Sequence, residues 1–260
     1  MGTEAERNFI EPMIWDEVAR RIGDGAVAIL PIGAAAKQHG FHLPLSTDRI
    51  QAEWLAGQLS LRIGALIWPT LTYGHYPAFT EYAGSANLSA ATFEAMVHEI
   101  AAGILGHGCR AVFVLDTGIS TQAPVERALA RLAPGTAMHL RIHAGSCYRR
   151  AAAELGEQRH GSHADELETS LMLALAPDLV DMTRAEASPA VQHVTPGPLT
   201  SVDTASPNYS RSGSYGDPTL ATRAKGQALL AAMLDDLQEQ AAAFMVSTKR
   251  RSGSIRSASR

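Results

Sequence analysis

Cysteine is nearly missing from this chain: Cys109 and Cys147 are the only two among 260 residues. That excludes a disulfide framework, and two isolated thiols fit a reducing compartment in which each is a small buried side chain. Long hydrophobic runs are missing too, since none approaches the ~18 residues of a membrane span. The start, Met1 to Arg7, is charged and has no apolar core of a secretory signal. These absences predict a cytoplasmic protein with no membrane partner. Charge of one sign is also scarce: 22 basic against 26 acidic residues leave a net charge of −4, so nucleic acid is not an expected partner. The exception is the end of the chain. Residues 247–260 carry Lys249, Arg250, Arg251, Arg256 and Arg260 with no acid. They are expected to form a basic disordered tail behind one domain spanning 1–246. No internal repeat is present.

What the chain does have is an ordinary apolar content of 46%, arranged in alternating blocks. Near-continuous apolar runs at Ala26–Leu30, Ala65–Pro69, Ala111–Leu115 and Met138–Ile142 read as buried strands. Helical patterns lie near Ile10–Ile22, Arg49–Ile63, Ala90–Leu105, Gln122–Leu132, Ser146–Gln158, Asp165–Leu175 and Thr219–Phe244. Alternation of this kind predicts an α/β protein with a mostly parallel sheet covered on both faces. Asp178 to Tyr215 is rich in Pro, Ser, Thr and Gly and reads as a long irregular connection of the kind that carries function. Asp217 and Pro218 read as N-cap and first residue of the last helix.

Chemistry concentrates where the first strand ends. Pro31-Ile-Gly-Ala-Ala-Ala-Lys-Gln-His-Gly-Phe-His-Leu-Pro-Leu-Ser-Thr-Asp48 collects Lys37, Gln38, His39, His42 and Asp48 in one loop, the place an α/β sheet puts its site. This stretch resembles the creatininase family of metal-dependent amidohydrolases, which typically reads Pro-x-Gly-x-x-Glu-Gln-His-Gly-x-His-Leu-Pro-x-x-Thr-Asp here. Two further stretches are similar to that family and follow in its order. They are His163-Ala-Asp-Glu-Leu-Glu-Thr-Ser170 and Gly213-Ser-Tyr-Gly-Asp-Pro-Thr-Leu-Ala-Thr-Arg-Ala-Lys-Gly226. Tyr73-Gly-His75 and Tyr82-Ala-Gly-Ser85 are a weaker echo. The resemblance implies a creatininase-like three-layer α/β/α sandwich and a homo-oligomer, a hexamer by family habit.

The resemblance also implies a dinuclear centre with five protein ligands, and here the chain departs from it. His39 and Asp48 match the loop's His and bridging Asp, the metal ligands if a metal is bound. Lys37 stands where the family has Glu, and Gly118 stands where a later strand end supplies another His. A lysine beside Asp48 balances the charge that a cation would balance and repels an incoming ion. The expectation is therefore an altered site with no cofactor, or with one weakly bound divalent ion (Zn or Mn) held by substitutes drawn from His42, Asp116, His163 and Glu166. Lys37, His39, Asp48, Asp116 and His163 are the candidate catalytic residues. Lys37 can serve as nucleophile, base or ion-pair partner, His39 as base oriented by Asp48, and Asp116 as a substrate contact or a second partner of Lys37. His42, Tyr73, His75, Glu81, Ser120 and Glu166 are the candidate substrate-binding residues. Glu168 is assigned to structure, with Thr169 and Ser170. Three functions stay open. One is an enzyme acting on a small polar cyclic amide or related C–N substrate by hydrolysis, ring closure or proton transfer with little or no metal. The others are a conventional divalent-metal amidohydrolase with substituted ligands, and an inactive family member that binds a ligand or partner.

Overall fold

A computed structural model describes residues 4–188 and 197–258, with side chains to Thr248. Four strands, β1 (Val27–Ile32), β2 (Ala65–Ile67), β3 (Val112–Asp116) and β4 (Ala137–Arg141), form one parallel sheet in the order β2-β1-β3-β4. In register, Ile29 of β1 lies between Ile67 of β2 and Phe113 of β3. The strands are buried on both faces, which is why they read as unbroken apolar runs rather than alternating ones. Alternation shows instead in where each side chain goes. Val27 and Ile29 join the core beneath α2 (Thr47–Ile63), α5 (Ser146–Leu155), α6 (Glu166–Leu175) and α7 (Arg223–Ala258). Ala28, Leu30 and Ile32 join the opposite core, beneath α3 (Ala90–Gly106) and α4 (Gln122–Ala130). A short helix, α1 (Trp15–Gly23), precedes the sheet. The layers are those the alternation predicts.

Helix α2, which follows β1, packs on one face and α4, which follows β3, on the other, so the connections leaving β1 and β3 diverge at their carboxyl ends. That divergence opens a crevice at the top of the sheet, the switch point where α/β folds bind ligands. Gly33 sets its floor. A Cβ there would lie 2.5 Å from the carbonyl oxygen of Asp48 and 2.8 Å from Ala52 Cβ, so only glycine lets the end of β1 touch the first turn of α2.

Several local expectations change. Asp217 does cap a turn, accepting from Thr219 N, but the turn is a 3-10 helix, Pro218–Leu220, and α7 starts only at Arg223. Cys109 is buried as expected, whereas Cys147 is partly exposed. At the end of the chain, α7 continues as helix to Ala258, through residues expected to be a tail. Poor composition limits what a segment can bury, yet adding residues to an existing helix costs little. The connection after α6 contains two 3-10 turns, Pro177–Leu179 and Met182–Arg184. Among the described residues no helix is long and apolar enough to cross a membrane.

Candidate active site

The loop leaving β1 turns back on itself and delivers three side chains to one place. Lys37 Nζ lies 2.7 Å from Asp48 Oδ2, and His39 Nε2 lies 3.1 Å from Asp48 Oδ1. All three residues are buried, with relative exposures of 7%, 2% and 0% for Lys37, Asp48 and His39. Burial by itself would raise the Asp48 carboxyl, but the adjoining Lys37 ammonium and His39 outweigh it and hold it well below the usual carboxylate range. The Lys37 ammonium also lies 5.2 Å from the ring centre of Phe79 and 5.7 Å from that of Tyr76, within cation–π range. An ion pair this deep is costly to assemble and costlier to break from one side.

The second wall comes from residues 163–168. His163 stacks on Phe79, with ring centres 4.2 Å apart, and lies 4.9 Å from His39 ring to ring. Its Nε2 faces the backbone carbonyl of Gln38 at 2.9 Å. Burial, then the neighbouring His39 and Lys37, pull His163 well below the ordinary histidine range. Ala164 follows with φ of +46°, a left-handed backbone conformation carried by a non-glycine residue. Such strain is tolerated where packing over-determines the chain. Here Ala164 N donates to Glu168 Oε2 at 2.6 Å, and Asp165 caps α6 by accepting from Glu168 N at 3.0 Å. The tight turn therefore aims Glu168 at the crevice. Its carboxylate lies 3.7 Å from His39 Nε2 and 3.8 Å from His163 Nδ1.

Lys37, Asp48, Tyr76, Phe79, Gly118, Ser120, His143, Tyr148, His163 and Glu168 line a cleft of about 450 Å³. Tyr76 is buried with a hydroxyl that has no partner among the described residues. His143 and Tyr148 pack edge to face at 5.2 Å. Burial lowers His143 below its ordinary value, partly opposed by the carboxylates of Glu168, Asp48 and Asp116.

The sequence-based candidates divide unequally. Lys37, His39, Asp48 and His163 converge, and Ser120 lines the same cleft while donating to the carbonyl of His75. Asp116 does not pair with Lys37. Its carboxylate accepts from Thr121 Oγ1 at 2.8 Å and Gly118 N at 2.9 Å and faces His139 Nε2 at 3.1 Å, so it braces the loop after β3. Glu166 is corrected as well. It is fully buried, accepts from the backbone of Glu157 and Gln158, and holds Lys225 Nζ at 2.5 Å. His42 is buried against Thr169 Oγ1 at 2.8 Å, and burial followed by His39 pulls its pKa down to about 4. Tyr73 and Glu81 are exposed, and His75 is tied to the Leu88 carbonyl; none of the three lines the cleft. From that segment Tyr76 and Phe79 line it instead.

Glu168 is the residue the sequence undersold. Glu166, assigned to substrate binding, is buried on Lys225, and Glu168, assigned to structure, faces the cleft. His143 was also missed, although it stands two residues beyond the end of β4, a position that flags a site in this class of fold.

Comparison with known proteins follows the geometry. A family model described as creatinine amidohydrolase matches residues 11–241. The chain belongs to the creatininase family. The creatinine amidohydrolase of Pseudomonas putida is 27% identical over 241 residues, 85% of this chain and 91% of that one. A mycofactocin precursor peptide peptidase of Mycobacterium tuberculosis is 30% identical over 234 residues, 84% of this chain and 85% of that one. A crystal structure of creatinine amidohydrolase superposes with a TM-score of 0.77 at 25% identity, covering 90% of this chain and 96% of the other. Other solved creatininases are described as manganese and zinc–zinc forms.

The family's two-ion centre does not fit the residues present here. The shared carboxylate, Asp48, has one oxygen on the Lys37 ammonium and the other on His39. Gly118, where the resemblance leads one to expect a histidine, offers no side chain, and a Cβ there would collide with Thr121 Oγ1. A second cation beside a buried ammonium would meet direct repulsion.

Proposed function

We propose that this creatininase-family chain is an enzyme acting on a small polar molecule at a cyclic amide or related C–N bond. In it Lys37 and Asp48 take the place of the family's two-ion centre. The observation that carries this reading is the buried Lys37–Asp48 pair, 2.7 Å long and opening on the cleft. An ammonium has three donors, and one is committed to Asp48. The others are available to a carbonyl oxygen, which becomes an oxyanion when the carbonyl carbon is attacked; stabilising that charge in a dry site is the largest usual contribution to such reactions. Glu168, nearer the cleft mouth, is placed to take the proton of the attacking water and to return it to the departing nitrogen as the C–N bond breaks. His39, fixed between Lys37 O and Asp48, links these carboxylates. The same groups run backwards serve ring closure. Aromatic walls from Tyr76, Phe79 and Tyr148 suit a flat molecule, and the Tyr76 hydroxyl is a ready hydrogen-bond partner for it.

The cleft volume favours a small molecule over a peptide, although relatives include proteins named as peptidases. The test is turnover of a panel of lactams, hydantoins and creatinine-type rings, in both directions, followed by chromatography and mass spectrometry. Turnover that falls at least a hundredfold in Lys37→Met with the ring still bound supports the proposal. Calorimetric binding of these rings without turnover in either direction would show an inactive binding protein instead. The family likeness extends the proposal to a homo-oligomer, which light scattering of the purified protein checks; a monomer would refute that part.

A further inference from the structure

His39 Nδ1 lies 2.9 Å from the backbone carbonyl of Lys37, which can only accept, so that nitrogen carries a hydrogen. Its other nitrogen, Nε2, then faces two carboxylates, Asp48 at 3.1 Å and Glu168 at 3.7 Å. A bare lone pair pointed at two anions is repulsive, so Nε2 either holds a second proton, donated to Asp48, or gives that place to a cation. The same holds for His163. Its Nε2 is 2.9 Å from the carbonyl of Gln38 and 3.2 Å from the Gln38 side-chain amide. The shorter contact, to an atom that only accepts, puts the hydrogen on Nε2 and leaves Nδ1 facing the Glu168 carboxylate at 3.8 Å. Two imidazole lone pairs and one carboxylate thus converge, with ligand atoms of His39, His163 and Glu168 all within 4.8 Å of one another.

Charge leads to the same place. Lys37 neutralises Asp48, and of the two other carboxylates that line the cleft Asp165 is committed to Glu168 N and Gln158, which leaves Glu168. The separations also suit an ion. Ligand atoms at about 2.0–2.1 Å from a tetrahedral zinc lie about 3.4 Å apart; His39 Nε2 is 3.7 Å from Glu168 Oε1 and His163 Nδ1 is 3.8 Å from Oε2, and all the ligand atoms lie within 4.8 Å, so a modest side-chain closure completes the site. Each ring is braced from behind by a backbone carbonyl, as ligating histidines commonly are.

We infer that His39, His163 and Glu168 form a single-ion site for a divalent cation of the Zn or Mn class, built from a ligand set different from the five-residue pattern of the family. This rests on the proposed use of the cleft for C–N chemistry and changes one part of it, since a Glu168 that holds the ion is not also the free base; the ion itself is measurable without turnover. Lys37 occupies the ground where a second ion would sit, and its charge weakens the first.

The experiment is metal titration of the purified full chain after chelation, with Zn(II) by calorimetry and Co(II) by visible absorption, and stoichiometry by elemental analysis. One ion per chain is expected, with affinity falling at least tenfold in Glu168→Gln and in His163→Phe and rising in Lys37→Met. No bound ion, or two per chain, would overturn the inference, as would one ion indifferent to Glu168→Gln and His163→Phe. Should those variants fail to fold, X-ray absorption of the zinc-loaded native protein decides: two imidazoles per zinc support the site, and a sulfur ligand or a single imidazole sinks it. One bound ion without turnover of any cyclic amide would support the ion site while overturning the C–N reading. Turnover with no ion would do the reverse.

Discussion

Removing one half of the Lys37–Asp48 pair should cost far more than removing both. Lys37→Met strands the Asp48 carboxylate, and Asp48→Asn strands the ammonium, each in a site with almost no solvent. Breaking a buried pair from one side costs about 3–5 kcal/mol, whereas replacing both partners with neutral groups is often close to neutral. Asp48 also faces His39, so the double variant is expected to lose about 1–2 kcal/mol for that hydrogen bond. The coupling energy should then exceed ~2 kcal/mol. In a chain of this size each kcal/mol moves the melting temperature by about 2–4 °C. Single variants should therefore melt roughly 6–20 °C lower and the double much nearer the parent. Urea unfolding of the four proteins provides the cycle. Singles that lose less than ~1 kcal/mol, or a double equal to their sum, would refute a dry and coupled pair. The acid limb offers a second reading of the same quantity. The Asp48 carboxyl is depressed in the folded state, so its contribution is complete above the unfolded value near ~4 and is lost as pH falls below it. Asp48→Asn should flatten that limb; an unchanged limb would contradict the argument.

Other expectations are narrower. Burial raises Asp165 from 3.8 to about 6 despite its cap hydrogen bonds, so the folded state holds that proton more tightly and stability declines as pH rises from about 4 to 6. Asp165→Asn keeps an N-cap and should remove this decline, on the order of 2–3 kcal/mol, in chemical unfolding across that range; a decline that persists assigns it elsewhere. Lys225→Met leaves the fully buried Glu166 without its cation and should cost about 3–5 kcal/mol, most of it restored by adding Glu166→Gln; no recovery in the double would show that Lys225 acts by packing alone. Gly226→Ala places a methyl against the Ser170 carbonyl and Ala174 Cβ, where α6 and α7 cross. It should lower stability by ~2 kcal/mol or more, and a neutral result would mean that the helices part freely.

The sheet was legible because its strands are buried on both faces. Each apolar run landed within a residue or two of a strand, and Ala65–Pro69 merely shortened to Ala65–Ile67. The Lys37–Asp48 pair was legible because both residues belong to one loop. Contacts between distant segments were not. Nothing local distinguishes Glu168, in the cleft, from Glu166, under Lys225, since spacing shows that two residues face apart without showing which way. Asp116 looked available because the sequence does not reveal that Thr121 and His139 bracket its carboxylate. In the Tyr73–Ser85 stretch the motif-like residues stay outside, while Tyr76 and Phe79 turn in with the 3-10 helix at Pro77–Phe79.

The Gln38 side chain reaches the carbonyl of Gly213 at 2.9 Å, 175 positions further along the chain. Synthesis of that intervening length takes about 10–35 s at the usual ~5–20 residues per second. During that interval the Gln38 side chain has no Gly213 carbonyl to reach, and the first loop lacks that brace. The brace on the first loop is consequently made later than every residue that lines the cleft. A chain halted before Gly213 carries every residue that lines the cleft, from Lys37 to Leu171, and lacks the strap that ties Gln38 in place.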